Sequence, residues 1–156
     1  RGVVLHGETG RPLPALLVLS GPDNHEIEAS TGRFDVRDLA AGKWQVIVRA
    51  PEHEVLTLAL SVPHDGTYDG CELLPHSCRA VVRGRFSAMI ARHTGRAVDW
   101  RVETPALVEA RWMRKRRRGH GAIRGAVNAT DAALYGRRTE PSDLERVTQA
   151  LAEADA

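Results

Sequence analysis

The sequence is poor in most of the features that announce an activity. Its 156 residues include two cysteines, and aromatic side chains make up only 4%. A dense disulfide scaffold is therefore excluded, and few rings are available for stacking against bases. No run approaches the roughly 18 uninterrupted apolar residues needed to span a bilayer. There is no Gly-x-Ser-x-Gly elbow, no phosphate loop ending in Gly-Lys-Ser/Thr, no His-Glu-x-x-His pair and no paired cysteine motif. The nucleophile, nucleotide and zinc chemistries that depend on those spacings find no residues here. The chain also opens on Arg1, without a methionine or a signal-type apolar segment, which reads as a soluble piece of a longer protein.

What is present is unevenly distributed. Residues 1–82 hold 7 basic and 11 acidic side chains and residues 83–156 hold 15 and 9, so the charge passes from −4 to +6. Leu, Ile, Val and Phe number 24 in the first span and 12 in the second, which concentrates conventional core material in front. The expectation is an α+β chain with a β-sandwich over 1–82 and a basic helical domain over 83–156.

The front reads as strands because short β-branched or Leu-rich segments alternate with glycine and proline. Val3 to Leu5 precedes a connection through Gly7, Gly10, Pro12 and Pro14; Ala15 to Ser20 follows and stops at Gly21-Pro22. A polar strand around Glu26 to Ala29 ends at Thr31-Gly32, and Phe34 to Val36 is brief. The clearest alternation sets Trp44, Val46 and Val48 against Lys43, Gln45 and Arg49, and the same period recurs in Leu56, Leu58, Leu60 and Val62. In a strand, this puts each apolar set on one face.

The order Gly2-x-Val4, Thr9-Gly10-Arg11-Pro12-Leu13, Val18, Thr31-Gly32-Arg33-Phe34, Leu39, Gly42-Lys43-Trp44, Val46 and Val48 resembles the carboxypeptidase regulatory-like, transthyretin-like domain. The resemblance covers about half of the chain. It implies a seven-stranded, prealbumin-like Greek-key sandwich acting as a folding, spacer or adhesion module, with none of the matched residues catalytic. Pro51-Glu52-His53 departs from the family, which often has a glycine and an aromatic residue there, so a differently shaped turn is expected.

The back reads as three to four helices. Arg85 to His93 offers a short one; the strand Ala80 to Val82 either runs directly into it or continues as an edge strand through the basic residues around Arg83 and Arg85. Thr104-Pro105 starts a second, extending to about Arg118, because a hydroxyl N-cap and proline at the first helical position suit a helix start. Gly119 and Gly121 allow a break. Ile123, Val127, Thr130 and Leu134 then form a stripe ending at Gly136, and Ser142-Asp143-Leu144-Glu145 reads as a capping box before Leu144, Val147 and Leu151. The stripes are small and Ala-rich, so the bundle is expected to need further support. Thr104-Pro105-Ala106-Leu107, Ala132 to Tyr135, Gly136-Arg137-Arg138 and Pro141 to Leu151 are similar to the C-terminal region of an uncharacterised bacterial membrane-protein family. Ala106 and Leu107 stand where that family commonly has Arg and Glu. The likeness implies a membrane-adjacent context, often near an AAA+ ATPase and von Willebrand factor A-type proteins, and implies no reaction.

The candidate contact residues are Arg111, Arg114, Lys115, Arg116, Arg117 and Arg118. Such a run can complement a helix dipole while staying solvated, meet anionic headgroups, or meet an acidic protein. Nucleic acid is disfavoured by the net charge of only +2 and the scarcity of aromatics. His53-Glu54 could supply a base and a carboxylate, although loop polarity accounts for the pair equally well, and the remaining histidines default to the surface. Cys71 and Cys78 could form a bridge or remain thiols; with His76 they lack a fourth ligand for structural zinc. No catalytic residue, cofactor or metal is expected. The function expected is a non-enzymatic accessory region of a membrane-anchored bacterial protein, contacting lipid or a protein partner and tilted by its cations towards the cytoplasm. The alternative is the non-catalytic end of a peptidase or other hydrolase.

Overall fold

The computed structural model describes residues 1–64, 70–115 and 120–156. The chain is a mixed α+β protein that divides into two compact units, Arg1–Ser77 and Cys78–Ala156. The division falls earlier than the sequence suggested, because residues 80–82 belong to a helix and not to a strand.

In the first unit the strands are β1 (Gly2–Val4), β2 (Ala15–Ser20), β3 (Asn24–Ala29), β4 (Arg33–Phe34), β5 (Gly42–Arg49), β6 (Leu56–Val62) and β7 (Cys71–Leu73). They form a three-stranded sheet in the order β4-β1-β7 and a four-stranded sheet in the order β3-β2-β5-β6. β1 runs antiparallel to β4 and parallel to β7. Val4 and Leu73 from one sheet share a single buried cluster with Leu17, Leu19, Trp44, Val46 and Val48 from the other. The alternation in β5 delivers that core: Trp44, Val46 and Val48 are buried while Lys43, Gln45 and Arg49 are exposed. In β6 only Val62 is fully buried, with Leu56, Leu58 and Leu60 half-buried, because β6 is the edge of its sheet and lacks a neighbour on one side. Trp44 is held by its ring N–H donating to the Ala40 carbonyl at 2.9 Å. A Cβ on Gly21 would come within 2.7 Å of the same ring, so glycine allows the close approach at that turn.

The second unit contains α1 (Cys78–Thr94), α2 (Pro105–Lys115), α3 (His120–Tyr135) and α4 (Pro141–Asp155). α1 begins well before the expected Arg85 because its apolar stripe does: Cys78, Val82, Phe86, Met89 and Ile90 are all buried, at spacings of three and four that keep them on one face. With Val98, Val108 and Trp112 they enlarge a core that the Ala-rich stripes of α3 and α4 would leave thin. The α3 stripe is as expected, with Ile123, Val127, Thr130 and Leu134 buried; Gly121 continues that helix instead of breaking it. At α2 the Thr104 hydroxyl accepts from the Leu107 N–H at 3.4 Å, and its carbonyl from Val108 at 3.0 Å. The capping box of α4 lies two residues ahead of the expected one. Glu140 is the N-cap, and its N–H donates to the Asp143 carboxylate at 2.9 Å. Pro141 occupies the first helical position, which suits its fixed φ and missing donor and sets the register.

Arg79 and Thr139 close the end of α3. The Arg79 guanidinium donates to the Gly136 carbonyl at 2.8 Å and to the Thr139 hydroxyl at 3.0 Å, and that hydroxyl donates to the Ala133 carbonyl at 2.6 Å. Carbonyls in the last turn of a helix have no intrahelical partner, so a buried hydroxyl there satisfies a group that would otherwise be stranded.

Candidate functional site

α2 carries the described part of the cationic run. Val108 and Trp112, one turn apart, are buried, and the Trp112 ring meets His93 at 4.9 Å between centroids in an edge-on arrangement. That stripe seats the helix and decides where the cations go. Arg114 is exposed. Arg111 lies beside the seam, half-buried, and donates through Nη1 to Glu103 Oε1 at 2.7 Å; Arg96 approaches the other oxygen of Glu103 at 3.8 Å. Arg111 is thus committed inside the unit and does not present its charge as Arg114 does. Lys115 is the last residue of α2, with its side chain beyond what the structure describes. Arg116, Arg117 and Arg118 lie outside the described residues.

A second polar grouping sits at one end of the first unit. Glu8 lies in the turn closed by the Gly10 N–H on the His6 carbonyl at 2.8 Å. Glu8 then meets His6 Nδ1 at 2.8 Å and His76 Nδ1 at 3.1 Å, and accepts from the Ser77 N–H at 3.1 Å. Glu54 accepts from the His76 N–H at 3.2 Å. His53 is buried, at 7% exposure. Its Nδ1 lies 2.7 Å from the Pro51 carbonyl and so donates, while its Nε2 is buried without a partner among the described residues. The His53 and His6 rings meet edge-on at 4.8 Å. This brings the His53-Glu54 pair towards other titratable groups, which the sequence alone did not indicate, since His6 and His76 are far away along the chain. Glu8 thus orients two imidazoles, each through its Nδ1. No group of three or more His, Cys, Asp or Glu is arranged to hold a metal among the described residues. Cys71 and Cys78 are not joined in a disulfide, and Cys78 is buried at the start of α1.

The first unit also holds a cavity of about 350 Å³. Leu17, Leu19, Val46 and Leu73 form walls closed to water, and Phe34, Val36, Leu39 and Leu60 are partly open. Arg1 and Arg37 both pair with Asp35 Oδ2, at 3.3 and 3.6 Å, at its edge. Burial raises the pKa of the Cys71 thiol, also on its wall, which disfavours the nucleophilic thiolate.

No family model matches the chain, and no curated protein matches it either. Its reading therefore rests on these residues. No helix among the described residues is long and apolar enough to cross a membrane.

Proposed function

We propose that the chain is a non-enzymatic accessory region of a larger, membrane-anchored bacterial protein. The strand unit is its scaffold, of the prealbumin-like Greek-key type, and the basic end of α2 meets anionic lipid. The observation that carries the reading is the seating of α2: Val108 and Trp112 are buried and Arg114 faces solvent, at the end that leads into Arg116, Arg117 and Arg118. The charge division supports it. Residues 1–77 hold 6 basic and 11 acidic side chains, net −5, and residues 78–156 hold 16 and 9, net +7. What supports the scaffold is the pair of sheets, of three and four strands, closing on one buried cluster.

The test is sedimentation with vesicles containing anionic lipid, comparing the native chain with one in which residues 114–118 are all replaced by Gln. Each cation near the surface contributes about 1 kcal/mol, roughly fivefold in partitioning. The native chain should bind, lose binding as salt rises, and bind far more tightly than the neutral variant. Equal binding by both, or no binding by either, rejects the lipid contact; retention only on an acidic protein surface moves the same edge to a protein partner.

A further inference from the structure

We infer that the cavity of the strand unit is a binding site for a small amphipathic molecule with an apolar body of about ten to twelve carbons and an uncharged polar head. The inference is independent of the basic edge of α2. A space of about 350 Å³, partly open to solvent and lined from both sheets, lies within the range of about 300–1,000 Å³ occupied by small-molecule sites. It equals roughly a dozen water volumes, and a chain methylene takes up nearly the same space as a water.

The walls define the body of the ligand. Phe34, Val36, Leu39 and Leu60 are the apolar lining that solvent still reaches, backed by the buried Leu17, Leu19, Val46 and Leu73, and none of them offers a hydrogen-bonding group on its side chain, so a polar group placed against them would lose its water without replacement. The edge defines the head. Arg1, Arg37, Asp35 and Asp38 line it with two side chains of each sign. This arrangement gives no net attraction to an ionised head and leaves donors and acceptors for a neutral one. Arg37 is 78% exposed and reaches Asp35 at 3.6 Å, and an exposed pair of that kind contributes little. It can therefore turn towards a bound hydroxyl at small cost. Asp38 holds φ 60°, a conformation uncommon for a side chain other than glycine and often found where a loop is shaped around a site.

The experiment uses the full chain and the neutral fluorophore N-phenyl-1-naphthylamine, displaced by straight-chain alcohols. Saturable binding with a stoichiometry of one is expected. Affinity for the alcohols should rise about fourfold with each added methylene and level off near ten to twelve carbons; the corresponding carboxylates should bind no more tightly. Val62→Phe adds a ring at the wall and should reduce fluorophore binding at least tenfold with near-ultraviolet circular dichroism preserved. Leu60→Phe, on the partly open side, is the second variant should Val62→Phe fail to fold. As an internal check, decanol should slow labelling of the Cys71 thiol by a maleimide. Absence of saturable binding overturns the proposal, as does affinity that climbs without levelling, or undiminished binding in a folded cavity-filled variant. The Gln variant over residues 114–118 should bind the fluorophore like the native chain, so failure of the lipid contact and failure of this site are read separately.

Discussion

Replacing Thr139 by Val tests whether one hydroxyl stabilises the helical unit to the extent its surroundings demand. The two side chains have nearly the same shape, so the substitution opens no cavity and removes only the oxygen and its proton. The substitution removes the bond from Arg79 Nε, at 3.0 Å, and the one to the Ala133 carbonyl, at 2.6 Å. The Arg79 contact with Gly136 at 2.8 Å remains, and its exposed guanidinium can recover water for the lost bond. The Ala133 carbonyl faces a fully buried position and cannot do the same. A buried acceptor stripped of its partner costs about 1–3 kcal/mol, which gives about 2 kcal/mol for Thr139→Val. With a urea slope of about 1 kcal/mol/M for a unit of this size, the midpoint should fall by roughly 2 M. Thr139→Ser keeps both bonds and loses one methyl group, for about 1 kcal/mol. The assay is urea unfolding followed by helical circular dichroism, which reports the second unit because the described helices all lie there. A Val variant as stable as the native chain, or a Ser variant less stable than Val, would refute the assignment of the hydroxyl as the partner of the helix end.

Two further outcomes follow from the geometry. The Asp155 carboxyl is held below its ordinary value by hydrogen bonds from His93 and then Arg92, both at 2.5 Å. Its contribution to stability is complete above the ordinary value of 3.8 and is lost as pH falls through the lower folded value; Asp155→Asn should flatten the acid limb of a stability-against-pH profile, and an acid limb as steep as the native one would refute the pairing. Gly21→Ala would push a methyl group to within 2.7 Å of the Trp44 ring, so thermal unfolding should reveal a loss of about 1–3 kcal/mol with a change in the tryptophan near-ultraviolet signal; a neutral effect would mean the turn yields freely.

Much of the strand unit was legible because a period of two leaves a plain mark. Trp44, Val46 and Val48 could be assigned to one face without any knowledge of their partners. The half-burial of β6 was not legible, since edge position depends on sheet order and not on the strand itself. The start of α1 was obscured by Ala80, Val81 and Val82, whose β-branched pair suggests a strand locally; the spacing of Cys78, Val82 and Phe86 carried the contrary signal and prevails through packing. At α4, Ser142 and Glu145 satisfy the capping pattern as well as Glu140 and Asp143 do, and the position of Pro141 distinguishes them. The cationic run was visible in the composition, but the pairing of Arg111 with Glu103 was not, because it depends on how the link between α1 and α2 folds back. The Glu8, His53 and His76 grouping was equally hidden, being assembled from three separate turns.

The parallel pairing of β1 with β7 has a mechanical meaning. The contact extends beyond the strands themselves, from the Cys71 N–H on the Arg1 carbonyl to Leu5 on Leu73 and Gly7 on Pro75. Tension that drew Gly2 and Leu73 apart along their common axis would load these bonds lengthwise and together, in shear, rather than opening them one after another. A module wired in this way resists being stretched along that axis.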